Sequence, residues 1–490
     1  MAEVKDLDLA GKLTAEQRAI EGFRMDAISP DDGKYGKSVD PLRDYLSPRA
    51  EWIECAAVQL ALIEARAKFS QATDEQVREV SEAIKKINPL NVSLLEEKVT
   101  KHDQLALIEE IGRFVSPGTK ALLHPGTTSY DILDTARSIL LKGAWYDVVR
   151  PAVSDTIFQL CDIAGRSMDI LQAGRTHLQN TSPVPFISTF AGYSARIAER
   201  TERCDLFFND LRGKISGIVG TGASIERVIG EGKSIDFERA VLDSLGLKAD
   251  TTATQIVQKE RFADVGHGLT TLMHVLGNFA NDIRLLYSSA IQEVTSRDNA
   301  ERLGGSSADA TKNNPIQYEN VAGKVAVVES GMRVMYEMIR TNLQRDLRGS
   351  VQARYQPAGM IAEVYESFVR MNKALPQLSI NTDVVSVNLQ SVRDNPSEAM
   401  VAILRGQGWN HSKYGVGHDF VKSIGLKAKK SGRKLLDVAL EDPEFNELYL
   451  RLPETDGLIL KGEIQRYVGH AISRAIDNIA YARGVARTVL

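Results

Sequence analysis

The stretch Gly304-Gly305-Ser306-Ser307-Ala308-Asp309-Ala310-Thr311-Lys312-Asn313-Asn314-Pro315-Ile316-Gln317-Tyr318-Glu319-Asn320 decides the reading of this chain. Paired glycines and serines, coming after a long helical pattern, give a backbone that bends readily. Pro315 suits the first turn of a new helix, and Glu319 falls inside that turn. A polar loop is thus held between two apolar helices, a placement that often carries chemistry.

The helices on either side are legible as a period. No proline occurs between Pro185 and Pro315, where average usage would place about six. Val265, Leu269, Leu272, Leu276, Phe279, Ile283 and Leu286 step by four and three, as do Val321, Val325, Val328, Met332, Met335 and Ile339. Such spacing, sustained over several turns, marks long helices packed side by side at a small crossing angle. The expected fold class is all-α, organised on a central long-helix bundle.

Earlier in the chain, Trp52, Ile53, Ala56, Ala57, Leu60 and Ile63 predict a one-faced helix from Arg49 to about Phe69. Lys101-His102-Asp103 opens another, with Leu105, Ile108, Ile111 and Phe114 on its apolar side. Beyond about Met371 the helices shorten, prolines return, and a basic run appears (Lys427, Lys429, Lys430, Arg433, Lys434). The expected division is an N-terminal helical domain (1–124), a central bundle carrying the loop (125–371) and a C-terminal helical domain (372–490).

Composition narrows the class. In 490 residues, 25% are charged and the formal net charge is −4, so no basic excess points to nucleic acid. A small anionic substrate would be met by local cations instead. Cys55, Cys161 and Cys204 show no paired spacing, which fits a reducing compartment and excludes a disulfide framework or a Cys-based zinc site. The polar start Met1-Ala2-Glu3-Val4-Lys5-Asp6 and the lack of an 18-residue apolar run predict no signal peptide and no membrane span. The expectation is a cytoplasmic protein.

Two segments have chemical potential on their own residues. In His124-Pro125-Gly126-Thr127-Thr128-Ser129-Tyr130-Asp131, Thr128 or Ser129 caps the helix that follows, and a helix N-terminus with free N–H groups suits a carboxylate. The run from Arg345 to Arg354 holds three arginines and Ser350, which by composition alone reads as a solvated charge run. The glycine-rich run Gly213 to Gly222 is not a nucleotide fingerprint, because no strand pattern precedes it and the spacing is wrong.

The opening stretch resembles the G-S-S-x-M-P-x-K-x-N-P signature loop of the fumarase/aspartase superfamily. Gly305, Ser306, Ser307, Lys312, Asn314 and Pro315 lie in register, and Asp309-Ala310 replaces Met-Pro. Its continuation, Pro315-Ile316-Gln317-Tyr318-Glu319-Asn320, is most similar to the adenylosuccinate lyase branch. Other motifs of that branch follow in order between about residues 27 and 375. Ser29-Pro30-Asp31-Asp32-Gly33-Lys34-Tyr35 resembles S-P-x-D-G-R-Y, with Lys34 for arginine; His102-Asp103 resembles the family's H-D pair. The His124 run resembles H-x-G-x-T-S-S-D, with Tyr130 for a serine, and Gly174-Arg175-Thr176-His177-Leu178-Gln179 resembles G-R-T-H-x-Q. Gly213 to Gly220 resembles G-K-x-x-G-x-V-G, Thr254-Gln255 with Arg261 resembles T-Q-x-x-x-R, and Arg345, Ser350 and Arg354 match the branch's phosphate site.

This resemblance implies a three-domain all-α fold and a homotetramer in which three subunits meet at each site. It implies β-elimination of fumarate from adenylosuccinate, giving AMP, and from succinyl-aminoimidazole-carboxamide ribotide in purine biosynthesis. Ser306 would be the base and His177 the acid, partnered by Glu319, with Lys312 and Asn314 facing the developing negative charge. Lys34, Tyr35, Lys101, His102, Asp103, His124, Thr128, Ser129, Thr176, Gln255 and Asn320 would bind substrate, and Arg345, Ser350 and Arg354 its phosphate. No metal and no cofactor is implied. Two alternatives stay open: a fumarate-releasing lyase acting on another succinylated amine, and a weakly catalytic paralogue that binds nucleotide.

Overall fold

Apolar residues repeating every three or four positions cannot be satisfied by one helix alone, and the chain buries them helix against helix. The computed structural model describes residues 13–297 and 312–488. Its principal helices are α1 (Pro48–Lys68), α2 (Asp103–Gly112), α3 (Ser129–Gly143), α4 (Arg150–Arg166), α5 (Phe186–Asn209), α6 (Glu260–Tyr287), α7 (Ile316–Ile339), α8 (Ala358–Ala374) and α9 (Ala471–Arg487). Helix α6 packs along α7 and against α5, α7 packs against α8, and α4, α5 and α9 pack together.

The two stripes read from the sequence form the seam. Val265, Leu269, Leu272, Leu276, Phe279 and Ile283 are buried, as are Val321, Val328, Met332 and Met335, while Leu286, Val325 and Ile339 are partly buried against them. Each such side chain contributes about 1.5–3 kcal/mol when fully buried. Gly277 lets the helices close up, because a Cβ there would run into Val325 of α7.

A second apolar cluster joins α1, α2 and the start of α3 to Ile225, Phe237 and Val241, and a third gathers Met400, Leu404, Phe420, Phe445 and Leu460. Its partition does not follow chain order strictly: residues beyond 125 enter the N-terminal cluster, and α9 returns to the bundle. Two of the expected apolar faces are borne out only in part. Ile53 on α1 is 48% exposed and Leu105 on α2 is 49% exposed. The buried face of α1 keeps Ala56 and Ile63 as expected and adds Gln59 and Arg66, and that of α2 keeps Ile111 and adds Ala106, Leu107 and Glu110. These polar side chains find partners inside, which a count of apolar residues cannot reveal.

Four small two-stranded pairings accompany the helices among the described residues. One positions a site residue: β1 (Leu171–Thr176) and β2 (Gln179–Pro185) form an antiparallel hairpin. Its two turn residues, His177 and Leu178, both have positive φ (52° and 59°), the backbone that matches strand twist in a two-residue turn. Among the described residues no helix is long and apolar enough to cross a membrane.

Candidate active site

The N-terminus of α3 is built around a buried carboxylate. Thr128 caps the helix, and its N–H donates to Asp131 Oδ2 at 2.7 Å. Asp131 also accepts from the N–H groups of Ser216 (3.0 Å) and Gly217 (3.1 Å) and pairs with the Lys214 ammonium. Both side chains of this ion pair are fully buried. The His124–Asp131 run and the Gly213–Gly222 run are thereby one structural unit. A third strand of the chain is tied in nearby, as Thr254 Oγ1 donates to the Gln344 carbonyl at 2.7 Å.

Against this unit lies a cavity of about 630 Å³ whose lining includes Glu96, Asp103, Tyr130, Arg345, Ser350 and Arg354. Arg345 donates from Nη1 to Gln255 Oε1 (3.0 Å) and from Nη2 to Ser350 Oγ (2.9 Å). Its guanidinium lies 3.8 Å over the Tyr130 ring, whose hydroxyl is hydrogen-bonded to Ser350. His102 caps α2, its Nδ1 accepting from the Leu105 N–H at 3.4 Å. Its Nδ1 also lies 3.3 Å from Asp103 Oδ1, and its Nε2 is 3.4 Å from Ser129 Oγ.

His124 adopts a positive φ of 73° and contacts Gln59 Nε2 through Nδ1 at 3.3 Å. Burial holds its imidazole below the usual histidine range. Arg66 Nη2 donates to the Pro125 carbonyl at 2.6 Å, and burial brings that guanidinium down to about 10. These buried polar groups of α1 therefore hold the His124 loop from beneath.

Tyr35 and Asn320 meet at a second place, Asn320 Nδ2 donating to the phenol oxygen at 3.2 Å. Lys324 Nζ sits 4.0 Å above the Tyr35 ring and bridges Glu363 (2.5 Å) and Glu366 (2.7 Å). Burial, with Glu363 alongside, pushes Asp31 up to about 6. Glu319, in the first turn of α7, pairs with Arg284 of α6 at 3.7 Å rather than with His177. Lys34, Lys101 and Lys312 are exposed, and Asn314 is half-buried.

His177 and Thr176 stand exposed at the tip of the β1–β2 hairpin. One chain thus presents separate groups: the Arg345 cavity with the α3 N-terminus, the Tyr35–Asn320 contact, the hairpin tip, and the start of α7. Ser306, with Ser307, Asp309 and Ala310, lies outside the described residues. Sequence reasoning missed Tyr130 as a member of the cavity and Arg284 as the partner of Glu319. Only the replaced serine at 130 hinted at the first, and nothing local signals the second. Among the described residues, no three His, Cys, Asp or Glu side chains gather as metal ligands.

The family model described as Lyase matches residues 27–329. The chain is 29% identical over 459 residues to an adenylosuccinate lyase of Pyrococcus abyssi, covering 92% of this chain and 97% of that protein. It is 29% identical over 467 residues to that of Pyrococcus horikoshii, covering 94% and 99%. Among solved structures, a fumarate lyase from Mesorhizobium sp. BNC1 matches with a TM-score of 0.76 at 21% identity, over 90% of this chain and 97% of that one, a likeness of fold. With the model match extending over more than half of its length, the chain belongs to the Lyase family and has the all-α fold of the fumarase/aspartase lyases.

Proposed function

We propose that this chain is a carbon–nitrogen lyase that eliminates fumarate from adenylosuccinate, giving AMP, and from succinyl-aminoimidazole-carboxamide ribotide. The observation that carries the reading is the Arg345 cavity. Two arginines and a serine hydroxyl around one space suit a phosphate monoester, since guanidinium forks and hydroxyls donate to its oxygens. That favours a nucleotide over an unphosphorylated succinyl compound such as argininosuccinate. Full-length similarity to the two Pyrococcus adenylosuccinate lyases supports the same substrate class.

In the proposed reaction Ser306 takes the proton from the carbon next to one succinyl carboxylate. The electron pair first charges that carboxylate as an aci-form dianion, then forms the double bond of fumarate as the C–N bond breaks. His177 gives its proton to the leaving nitrogen. Lys312 and Asn314 face the dianion, where a preorganised donor is worth about 10²–10³ in rate. Thr128, Ser129 and the free N–H groups of α3 hold a carboxylate, with His102, Asp103, Lys101, His124, Thr176 and Gln255 around the succinyl and base moieties. Lys34, Tyr35 and Asn320 close over the nucleotide.

The separation of these groups within one chain supports a site shared between copies. We infer a cytoplasmic homotetramer in which an exposed His177 tip, a Glu319 helix start and an Arg345 cavity come from different subunits. The units 1–124, 125–371 and 372–490 are proposed as its domains, with α9 crossing back to the bundle. Fumarate release from both purine intermediates is the deciding assay. Tight AMP binding without fumarate from either would leave a nucleotide-binding paralogue, and a sedimentation profile showing an active monomer would sink the shared site.

A further inference from the structure

We propose that Tyr130 is a positioning residue that turns Ser350 into an obligate hydrogen-bond donor toward the phosphate end of the ligand. The inference rests on the phosphate reading of the Arg345 cavity and extends it to a residue outside the phosphate-binding trio.

A serine hydroxyl has one hydrogen and two lone pairs. Arg345 has only N–H donors, so its Nη2 at 2.9 Å occupies one lone pair of Ser350 Oγ. The Tyr130 phenol reaches the same oxygen. Tyr130 is 7% exposed, and a buried phenol hydrogen requires an acceptor. Ser350 supplies it, which fills the second lone pair. The single hydrogen of Ser350 is then left for the cavity, where Arg354 also sits. An acceptor-only group meets it well, and the oxygens of a phosphate monoester are such a group. A ribose hydroxyl or an amide, which must also place a donor, gains less.

The Tyr130 ring fixes the other partner. With its guanidinium 3.8 Å over the ring face and its Nη1 on Gln255, Arg345 is oriented from three sides, and its remaining N–H groups stay available to the ligand. Tyr130 occupies the second position of α3, directly after Ser129, so the residue that shapes the phosphate end sits beside the proposed carboxylate anchor. A serine, the residue of the related motif at this position, is too short to reach Ser350 and would leave that hydroxyl free to rotate.

The test uses the full chain with AMP and adenosine as probes in titration calorimetry, alongside fumarate release from adenylosuccinate. Tyr130→Phe keeps the ring and removes the hydroxyl. It should weaken AMP about tenfold while adenosine shifts by less than about twofold, and raise KM more than it lowers kcat. Ser350→Ala should lose the same preference, and the double variant should be no weaker than Ser350→Ala alone, because both act through one hydrogen. Equal losses for AMP and adenosine, an unchanged AMP affinity, or additive effects would overturn the proposal. If Tyr130→Phe fails to fold, Ser350→Ala alone decides, since an unaltered AMP-over-adenosine preference there refutes the donor role. A parent chain that prefers AMP but releases no fumarate would sink the lyase reading and leave this inference standing. A parent that releases fumarate but shows no preference for AMP over adenosine would sink this inference and the phosphate reading of the cavity, and leave the lyase reading standing.

Discussion

Lys214→Met tests whether the Asp131–Lys214 pair ties the two loops of the site together. The substitution keeps the length of the side chain and removes its charge from a position that is fully buried. Asp131 would then be a buried carboxylate without a cation. Breaking such a pair costs about 3–5 kcal/mol. Asp131 keeps three backbone donors, from Thr128, Ser216 and Gly217, so the cost should fall near the low end, about 3 kcal/mol. Because the chain has several cores, a single unfolding transition is a poor readout. Hydrogen exchange at the Ser216 and Gly217 amides reports the pair directly. Their protection should drop about 10²-fold, the equivalent of that free energy. Adding Asp131→Asn should restore part of it, since a neutral acceptor needs no cation. Protection within about threefold of the parent, or a double variant as damaged as the sum of the two, would refute the reasoning.

Ser306→Ala should lower kcat by about 10²–10⁴-fold while AMP affinity stays near the parent value, and a near-normal kcat would remove Ser306 from the base role. Arg354→Ala should weaken AMP by about tenfold or more in calorimetry, because it removes a charge-assisted donor from the cavity. Asp31 ionises at about 6 in the fold, against 3.8 for an ordinary aspartate. The native state therefore binds the extra proton between these values, and the associated stability is full below about pH 4 and lost as pH rises through 6. Asp31→Asn should accordingly leave the exchange protection of the Gly33 and Tyr35 amides near the parent value at pH 4 and raise it at pH 8 by the equivalent of about 1 kcal/mol after allowance for solvent screening. Equal effects at both pH values would contradict it.

The stripes of α6 and α7 were legible because each residue's neighbours three and four positions away lie on one face, and that face is buried as expected. Thr128 and His102 were likewise legible as helix starts, since capping is a local property. The faces of α1 and α2 were legible only in part, their buried polar members not at all. Gln59 and Arg66 lie inward because His124 and Pro125 wait for them across the interface, so the polar residues outweigh Ile53 in setting the helix rotation. The hairpin that carries His177 to its tip was hidden for another reason: two positive-φ residues, neither of them glycine, make its turn.

The sequence by itself determined that long helices pack in a bundle, that loops rich in hydroxyls, histidines and arginines interrupt them, and that those loops resemble the fumarase/aspartase motifs. Only the tertiary structure decided which loops meet. Tyr130 contacts Arg345 and Ser350, Asp131 contacts Lys214, and Glu319 contacts Arg284, in each case across long stretches of chain. Helical period and capping follow from hydrogen bonds within one segment, which nearby residues dictate. Contacts between segments follow from how every helix of the bundle is rotated and spaced, and that depends on the whole set of buried side chains at once.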